Sequence, residues 1–253
     1  MSQYRKSELD GMSIGNRMKF NYEYPFMFRL PHRVPIIIRI DGKGFHNLSK
    51  SLGWNKPFDM DFIHDMQDMS VELCKEIMNV KLVYLQSDEA SFLLIDYEEI
   101  QTQPWFRNEV QKLCSITAGF ASSKMSLIMD REAIFDARVF IIPPLEVCNY
   151  FIWRQRDWIR NSINMVARTN FSQKEIHGMN TKEIQEKLWS EKNINWNDYP
   201  IILKRGSCIL KRETWIVDNE IPDFTKNREY INQFIPELSS RNSLPNIKEV
   251  SDA

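Results

Sequence analysis

Short apolar runs and two long amphipathic segments alternate over the first 145 residues of the chain. Four runs rich in β-branched or apolar residues are typical of buried strands. Apolar positions recur every three or four residues over 59–78, which predicts a helix with Asp59 as its N-terminal cap. A second long helix is predicted over 105–129, although it contains Gly119. The predicted strands cover residues 34–40, 80–85, 91–95 and 137–142.

The order of these elements is strand, helix, strand, strand, helix, strand. This order predicts an α+β fold with the ferredoxin-like βαββαβ plan, in which the strands lie in the sheet order 4-1-3-2. The first and third strands are then antiparallel neighbours, so the end of one lies beside the start of the other. Residues distant in the sequence are therefore expected to meet at one edge of the sheet.

Four regions are expected along the chain. Residues 1–33 contain several aromatic residues and predict an arm that docks on the body, and residues 34–145 form the core. Residues 146–240 predict a mainly helical C-terminal extension, and residues 241–253 a polar, flexible tail. Within the extension, the pattern favours helices over 153–168 and 182–189 and a strand over 201–210.

The composition of the 253 residues narrows the class of protein. Hydrophobic residues make up 43%, which excludes a chain that is mainly disordered. The four cysteines lack close spacing and the four histidines form no pair at helical spacing, so neither a disulfide framework nor a zinc site is expected. No apolar run reaches the roughly 18 residues that cross a bilayer, and the N-terminus lacks a signal-peptide core. Both features favour a cytoplasmic protein without membrane contact.

Acidic residues stand where the first predicted strand ends and where the third begins. Asp41 follows the first strand, and Asp88 and Glu89 precede the third. Mg²⁺ prefers hard oxygen ligands, so Asp41 and Asp88 are candidate metal ligands, with the carbonyl of Gly42 as a further one. A pair of metals held in this way activates an attacking hydroxyl and stabilises a leaving pyrophosphate. Both aspartates could instead be turn residues, and Glu89 could face the site or anchor the hairpin.

Basic and hydroxyl side chains flank these carboxylates. Lys43, His46 and Ser87 could hold a triphosphate, unless the lysine is solvated and the histidine lies in the core. Arg107 and Lys112 on the second long helix could reach the phosphates, or could lie on a solvated helix face. The residues alone leave both alternatives open.

Two motifs resemble those of a known family. Residues 39–46 read Arg-Ile-Asp-Gly-Lys-Gly-Phe-His, and residues 86–89 read Gln-Ser-Asp-Glu. In this order and at this separation, they resemble the motifs of the tRNA(His) guanylyltransferase family. The resemblance runs from about residue 25 to residue 212, and supporting matches lie at residues 120–123, 135–138, 153–155 and 204–207.

The resemblance implies a polymerase-type palm that adds nucleotides to the 5′ end of tRNA in the 3′-to-5′ direction. The 3′-hydroxyl of an incoming nucleotide would attack an activated 5′ end. The implied partners are tRNA, GTP and ATP, the implied cofactor is Mg²⁺, and the implied assembly is a homotetramer. Asp41, Asp88 and the Gly42 carbonyl would bind two Mg²⁺ ions. The triphosphate would be cradled by Asp41, Gly42, Lys43, Gly44, Phe45, His46, Ser87 and Asp88.

One segment departs from the family pattern. Members that add the extra guanosine to tRNA(His) carry His-Ile-Asn-Asn shortly after the Trp-Arg-Gln motif, whereas residues 159–162 here read Ile-Arg-Asn-Ser. The chain is in this respect similar to bacterial and archaeal members that repair 5′-truncated tRNA by copying the opposite strand. Addition of a non-templated G to tRNA(His) and a palm-type nucleotide cyclase are the alternatives. An RNA-binding module of the RRM class fits less well, because residues 91–95 lack its aromatic signature.

The formal net charge of −1 conceals an uneven distribution. Residues 1–151 carry −3, residues 152–213 carry +5 and residues 214–253 carry −3. The middle region, in which basic residues are interleaved with tryptophans, predicts a local contact with RNA phosphates, and a solvated basic face is the alternative. The expected RNA-binding residues are Arg154, Arg156, Arg160, Asn161, Lys204 and Arg205.

Overall fold

Six antiparallel strands form one sheet in the order β4-β1-β3-β2-β5-β6, where the strands are numbered along the chain. The computed structural model describes residues 11–99 and 101–236, so the tail expected over 241–253 and the start of the arm lie outside the described residues. The strands are β1 (Ile36–Gly42), β2 (Val80–Gln86), β3 (Glu89–Leu94), β4 (Phe135–Ile141), β5 (Ser207–Lys211) and β6 (Trp215–Asp218).

The first four strands have the order 4-1-3-2 that the sequence predicts. β1 continues past its predicted end at residue 40, because Asp41 and Gly42 both stay in the ladder with β4. β2 and β3 are joined by a turn of two residues, Ser87 and Asp88. The end of β1 and the start of β3 therefore lie together at one edge of the sheet.

Helices separate and cover the strands. Short 3₁₀ or π turns occupy Lys19–Glu23, Tyr24–Phe26, Trp105–Asn108 and Trp196–Asp198. The α-helices are α1 (Ile14–Met18), α2 (Phe45–Ser51), α3 (Met60–Glu76), α4 (Val110–Met129), α5 (Pro144–Asn170), α6 (Thr181–Lys192), α7 (Ile201–Arg205) and α8 (Glu229–Asn232).

Each face of the sheet carries its own hydrophobic core. α3 and α4 pack on one face, where Ile38 and Ile40 of β1 are fully buried. The alternate residue Ile37 points to the other face and packs in a cluster with Phe151 of α5. This period of two is the reason that a strand buried on both faces appears in the sequence as a continuous apolar run.

The helix predicted over 105–129 is broken near its start. Phe106, Arg107 and Asn108 have positive φ values, which interrupt a right-handed helix. Trp105–Asn108 is therefore a separate turn, and α4 begins at Val110.

The strand predicted over 201–210 is a helix followed by a strand. α7 ends at Arg205, and the next residue, Gly206, has a φ of +80° and leads into β5. A Cβ at Gly206 would lie 2.3 Å from the carbonyl oxygen of Leu85, so the close approach of β5 to β2 requires glycine here. The extension beyond residue 146 is thus largely helical and also adds two strands to the sheet.

The N-terminal arm contacts the body through its backbone. The N–H of Leu30 donates to the carbonyl of Asn108 at 3.0 Å, and the N–H of Val110 donates to that of Phe28 at 2.9 Å. The side chains of Phe20, Tyr22, Tyr24, Phe26 and Phe28 are exposed. Over residues 11–99 and 101–236, no helix combines the length and apolar character needed to span a membrane.

Candidate active site

Asp41, Gly42 and Asp88 meet at the edge of the sheet where β1 ends. The N–H of Gly42 donates to the carbonyl of Asp88 at 3.0 Å, which ties the β2–β3 turn to the end of β1. Asp41 pairs in register with Glu89, the residue that follows Asp88. The two aspartates predicted as metal ligands are therefore neighbours, although 46 positions separate them in the sequence.

Gly42 has no room for a side chain. A Cβ at this position would lie 2.4 Å from Cδ2 of Phe45 and 2.9 Å from Cβ of Asp88. The Phe45 ring and the Asp88 side chain therefore close around the glycine backbone. This is the local reason that glycine stands between the strand and the following turn.

The electrostatics of Asp88 reflect this crowding. Burial raises the pKa of the Asp88 carboxyl, and the nearby negative charge of Asp41 adds to the increase. A hydrogen bond from the hydroxyl of Ser87 opposes it. Ser87 is exposed and has a φ of +50°, so the turn presents this hydroxyl beside the carboxylate. Two carboxylates that repel each other favour a cation between them.

The donor set suits Mg²⁺ rather than a metal held by protein ligands alone. In the described part of the chain, no group of three or more His, Cys, Asp or Glu side chains could hold a metal ion. Two carboxylates and a backbone carbonyl are hard oxygen donors, and Mg²⁺ commonly completes such a set with waters and substrate phosphates. The residues present therefore fit the ion that the sequence predicts.

Glu89 anchors the hairpin and does not present free oxygens to the site. Its two carboxylate oxygens accept hydrogen bonds from Nε and Nη2 of Arg154, both at 2.7 Å. Nε2 of Gln86 also donates to Glu89, at 3.1 Å. Burial raises the pKa of Glu89, and the adjacent Arg154 guanidinium opposes this increase.

Arg154 is therefore not available to RNA, which corrects its predicted role. Its side chain is 8% exposed, and Nη2 also reaches Oδ2 of Asp157 at 3.2 Å. Arg154 belongs to the basic region of the sequence, but its side chain lies on the face of α5 that packs against the sheet. A count of charges does not separate a buried, paired arginine from a solvated one.

Residues 43–46 are divided between the surface and the core. Lys43, Gly44 and His46 are exposed beside the site, and Gly44 has a φ of +76° at the start of α2. The ring of Phe45 is buried, with its centroid 5.1 Å from that of Phe135. The predicted triphosphate contact of Phe45 is thus restricted to its backbone, because its side chain belongs to the core.

Arg107 and Lys112 lie away from the carboxylates. The N–H of Phe135, next to Gly42 in the sheet, donates to the hydroxyl of Ser122 in α4 at 2.9 Å. Lys112 precedes Ser122 by ten residues, about 15 Å along the helix. Within this chain, both basic residues are therefore beside the arm and not beside Asp41.

The remaining predicted RNA-binding residues lie on or near the surface. Arg156 and Asn161 are exposed on α5, and Arg160 forms an ion pair with Asp157. Lys204 and Arg205 are half-buried at the end of α7; Nζ of Lys204 donates to the carbonyl of Asn197, and burial lowers its pKa. Arg156, Arg160 and Asn161 are thus exposed within two turns of α5. Lys204 and Arg205 each donate a hydrogen bond to a backbone carbonyl, so they are less available to RNA.

Two further residues, Asp136 at the site and Ser162 in α5, are not among the site residues that the sequence predicts. Asp136 pairs in register with Asp41 across β1 and β4, and it lies within the Phe-Asp-Ala-Arg motif. Ser162 is buried, and its hydroxyl accepts the indole N–H of Trp196 at 3.1 Å. The motif matches could have indicated Asp136, whereas the contact of Ser162 has no signal in the sequence.

Comparisons with known proteins show the family to which the chain is related. A family model described as tRNAHis guanylyltransferase (Thg1) matches residues 15–143. The tRNA(His) guanylyltransferase of Schizosaccharomyces pombe is 30% identical over 214 residues, which are 78% of this chain and 80% of that protein. The probable tRNA(His) guanylyltransferase of Drosophila melanogaster is 28% identical over 195 residues, 70% of this chain and 67% of that protein.

Solved structures extend the similarity to the fold. A bacterial tRNA(His) guanylyltransferase (Thg1)-like protein in complex with ATP has a TM-score of 0.85 and 47% identity, covering 88% of this chain and 99% of that one. The enzyme from Saccharomyces cerevisiae has a TM-score of 0.68 and 25% identity, covering 82% and 99%. Fold and site define a nucleotidyltransferase with a mixed α/β architecture around an antiparallel sheet. The chain belongs to the tRNA(His) guanylyltransferase family.

Proposed function

We propose that the chain adds nucleotides to the 5′ end of truncated tRNA in the 3′-to-5′ direction, with the opposite strand as template. The observation that carries this proposal is the junction of Asp41, Gly42 and Asp88 at one sheet edge, as in a polymerase-type palm. The substrates are tRNA and a nucleoside triphosphate, GTP or ATP. A cytoplasmic location, where tRNA is available, is part of the proposal.

The side chains divide the reaction between them. Asp41, Asp88 and the Gly42 carbonyl would hold Mg²⁺, for which the proposal takes two ions. When bound, Mg²⁺ lowers the pKa of the attacking 3′-hydroxyl and offsets charge on the leaving group. Lys43, His46 and Ser87, all exposed beside the carboxylates, orient the triphosphate by charge and hydrogen bonds.

Templated addition is favoured over addition of G to tRNA(His) by the segment 159–162. Ser162 stands where the tRNA(His)-specific pattern has its second Asn, and its hydroxyl is buried against Trp196. Asn161 is exposed, but the neighbouring Arg160 is paired with Asp157. This segment therefore keeps one of the two asparagines of the tRNA(His)-specific pattern, and the residue at the other position packs inside the protein.

The exposed aromatic side chains of residues 20–28 favour a homo-oligomer, a tetramer by family analogy. Side chains such as Tyr22 and Phe28, each 65% exposed, leave apolar surface that a second copy could cover. Arg107 and Lys112 lie near this arm, so a neighbouring copy could bring them to a phosphate. The number of copies, four, is proposed from the family resemblance alone.

A single assay separates these functions. Labelled GTP or ATP is incubated with Mg²⁺ and a tRNA that lacks its 5′ nucleotide, and the template base opposite the gap is varied. We expect label on the tRNA only, with the added nucleotide complementary to the template. Addition of G whatever the template would support the tRNA(His)-specific alternative, and a cyclic nucleotide made without tRNA would overturn the proposal.

The same assay tests the carboxylates. Asp88→Asn keeps the shape of the side chain but removes its charge, so we expect a loss of activity of at least about 10²-fold. Asp68→Asn is the matched control, since Asp68 is exposed on α3 and has no contact with the site. Comparable activity in the two variants would remove Asp88 from the metal site.

A further inference from the structure

The buried ion pair between Arg154 and Glu89 joins α5 to the catalytic edge of the sheet. It is bidentate, with both N···O distances at 2.7 Å, and the exposed fractions of the two side chains are 8% and 11%. A planar guanidinium that meets both oxygens of a carboxylate fixes orientation as well as distance. The pair therefore sets where the start of β3 lies relative to α5.

The position of Glu89 makes this restraint local to the site. Glu89 directly follows Asp88, and it pairs in register with Asp41 on β1. Asp88 belongs to a turn of only two residues, so a shift of Glu89 moves the Asp88 backbone with it. The carbonyl of Asp88 also accepts the N–H of Gly42, at 3.0 Å. The same shift therefore moves Gly42, whose carbonyl is a proposed metal ligand.

The pair also removes one carboxylate from the set that is free to bind a cation. The carboxylates of Asp41, Asp88 and Glu89 lie at the end of β1 and the start of β3, and Asp136 of β4 pairs in register with Asp41. Because Arg154 occupies both oxygens of Glu89, that charge is neutralised inside the protein. Glu89 is thereby removed from the carboxylates that can hold a cation, whereas Asp41 and Asp88 remain among them.

We propose that Arg154 is a positioning residue, which acts through Glu89 to hold Asp88 and Asp41 in the geometry that binds metal and nucleotide. This inference rests on the proposed function, but one of its readouts does not depend on the reaction. Residues that orient metal ligands typically change metal affinity or activity by about 10- to 100-fold when they are replaced.

Arg154→Met is the first test variant, and Gln155→Met is its control. Gln155 is the next residue of α5 and is also buried, but it bonds to the backbone of Pro222 and Phe224, away from the carboxylates. Both variants lose buried polar contacts and are expected to unfold at lower temperature. Only Arg154→Met is expected to disturb the catalytic edge.

Two readouts are compared for each variant. The first is the affinity for Mn²⁺ in the presence of GTP without RNA, from the electron paramagnetic resonance signal of free Mn²⁺. The second is kcat and KM for truncated tRNA. For Arg154→Met we expect Mn²⁺ affinity and kcat each to fall about 10- to 100-fold with little change in the KM for tRNA. For Gln155→Met we expect both to stay near wild type.

The double variant Glu89→Gln/Arg154→Met keeps the test decisive if Arg154→Met does not fold. It removes the buried charge that Arg154→Met leaves unpaired, so it should fold, yet it lacks the bidentate restraint. We expect its Mn²⁺ affinity and kcat to stay low. Wild-type values in the double variant would overturn the inference, as would an Arg154→Met variant whose only defect is a raised KM for tRNA. A wild-type protein that binds Mn²⁺ with GTP but adds nothing to tRNA would contradict the proposed function alone.

Discussion

At the residue scale, Gly42 is the position of the site where the neighbouring side chains leave no room for a Cβ atom. The ring of Phe45 and the Cβ of Asp88 occupy the volume that any side chain at position 42 would need. Gly42→Ala must therefore displace Asp88, or push the Phe45 ring into its contacts with Phe62 and Phe135. If Asp88 binds metal as proposed, displacing its carboxylate by about 1 Å costs on the order of 10²-fold in rate.

We accordingly expect Gly42→Ala to lose about 10²-fold in kcat for nucleotide addition while the protein stays folded. Steady-state kinetics and a thermal melt measure the two quantities. Gly15→Ala is the control, because a Cβ at Gly15 has no heavy atom within 4 Å. Wild-type kcat in Gly42→Ala would mean that the space around this glycine has no catalytic role.

Individual residues were predictable from the sequence where the chemistry depends on a motif. The proximity of Asp41, Gly42 and Asp88 follows from motifs that mark the ends of strands, which the hydrophobic pattern also predicts; their role as metal ligands stays a prediction. The role of Arg154 was wrongly predicted, because its charge was counted with those of a solvated surface although the residue is buried. Burial depends on which face of α5 meets the sheet, and this is fixed by the packing of Phe151 and its neighbours.

At the scale of elements, the sequence predicts the long helices and strands that have a regular hydrophobic period. It does not predict the short ones. The strands β1 to β4 and the helix α3 have long apolar patterns, and their order in the sheet was correct. α7 has only five residues, too few to show a period of 3.6, so it was merged with β5. The hydrophobic pattern also gives no sign of the positive φ values of Phe106, Arg107 and Asn108, which separate a turn from α4.

Gly206 tests the junction between α7 and β5. Its φ of +80° disfavours a side chain, and a Cβ would lie 2.3 Å from the carbonyl oxygen of Leu85. We expect Gly206→Ala to lower the free energy of unfolding by about 1–3 kcal/mol, since β5 must separate from β2 or the turn must distort. Denaturant melts measure this change.

Gly119→Ala is the matched substitution with the opposite expected sign. Gly119 is exposed in the interior of α4, and no heavy atom lies within 4 Å of its added Cβ. Alanine in a helix interior is expected to raise the free energy of unfolding by about 0.5–1 kcal/mol. If the two variants lost stability equally, the structural distinction between these glycines would be contradicted.

At the scale of the whole molecule, charge is divided between the two sides of the sheet. α5 contributes the exposed Arg156 and Arg160 on one side, whereas α3 on the other side is capped by Asp59 and carries Asp61 in its first turn. The net charge of the chain therefore says little about its partner, because the proposed contact with RNA phosphates involves a local surface. Because Arg154 is buried, the basic surface on the α5 side has fewer exposed cations than the sequence indicates.

This division predicts how tRNA binding depends on salt. Each phosphate contact releases condensed counterions, so the logarithm of the binding constant falls linearly with the logarithm of the salt concentration. If Arg156 contacts a phosphate, Arg156→Gln weakens binding and reduces the slope by about 1. Lys75→Gln makes the same change of charge on α3, where the lysine is 55% exposed, and should leave the slope unchanged. Titrations of truncated tRNA at several salt concentrations compare the two. Equal changes in slope would indicate that RNA responds to the total charge of the protein, and the contact would then not be confined to the α5 side.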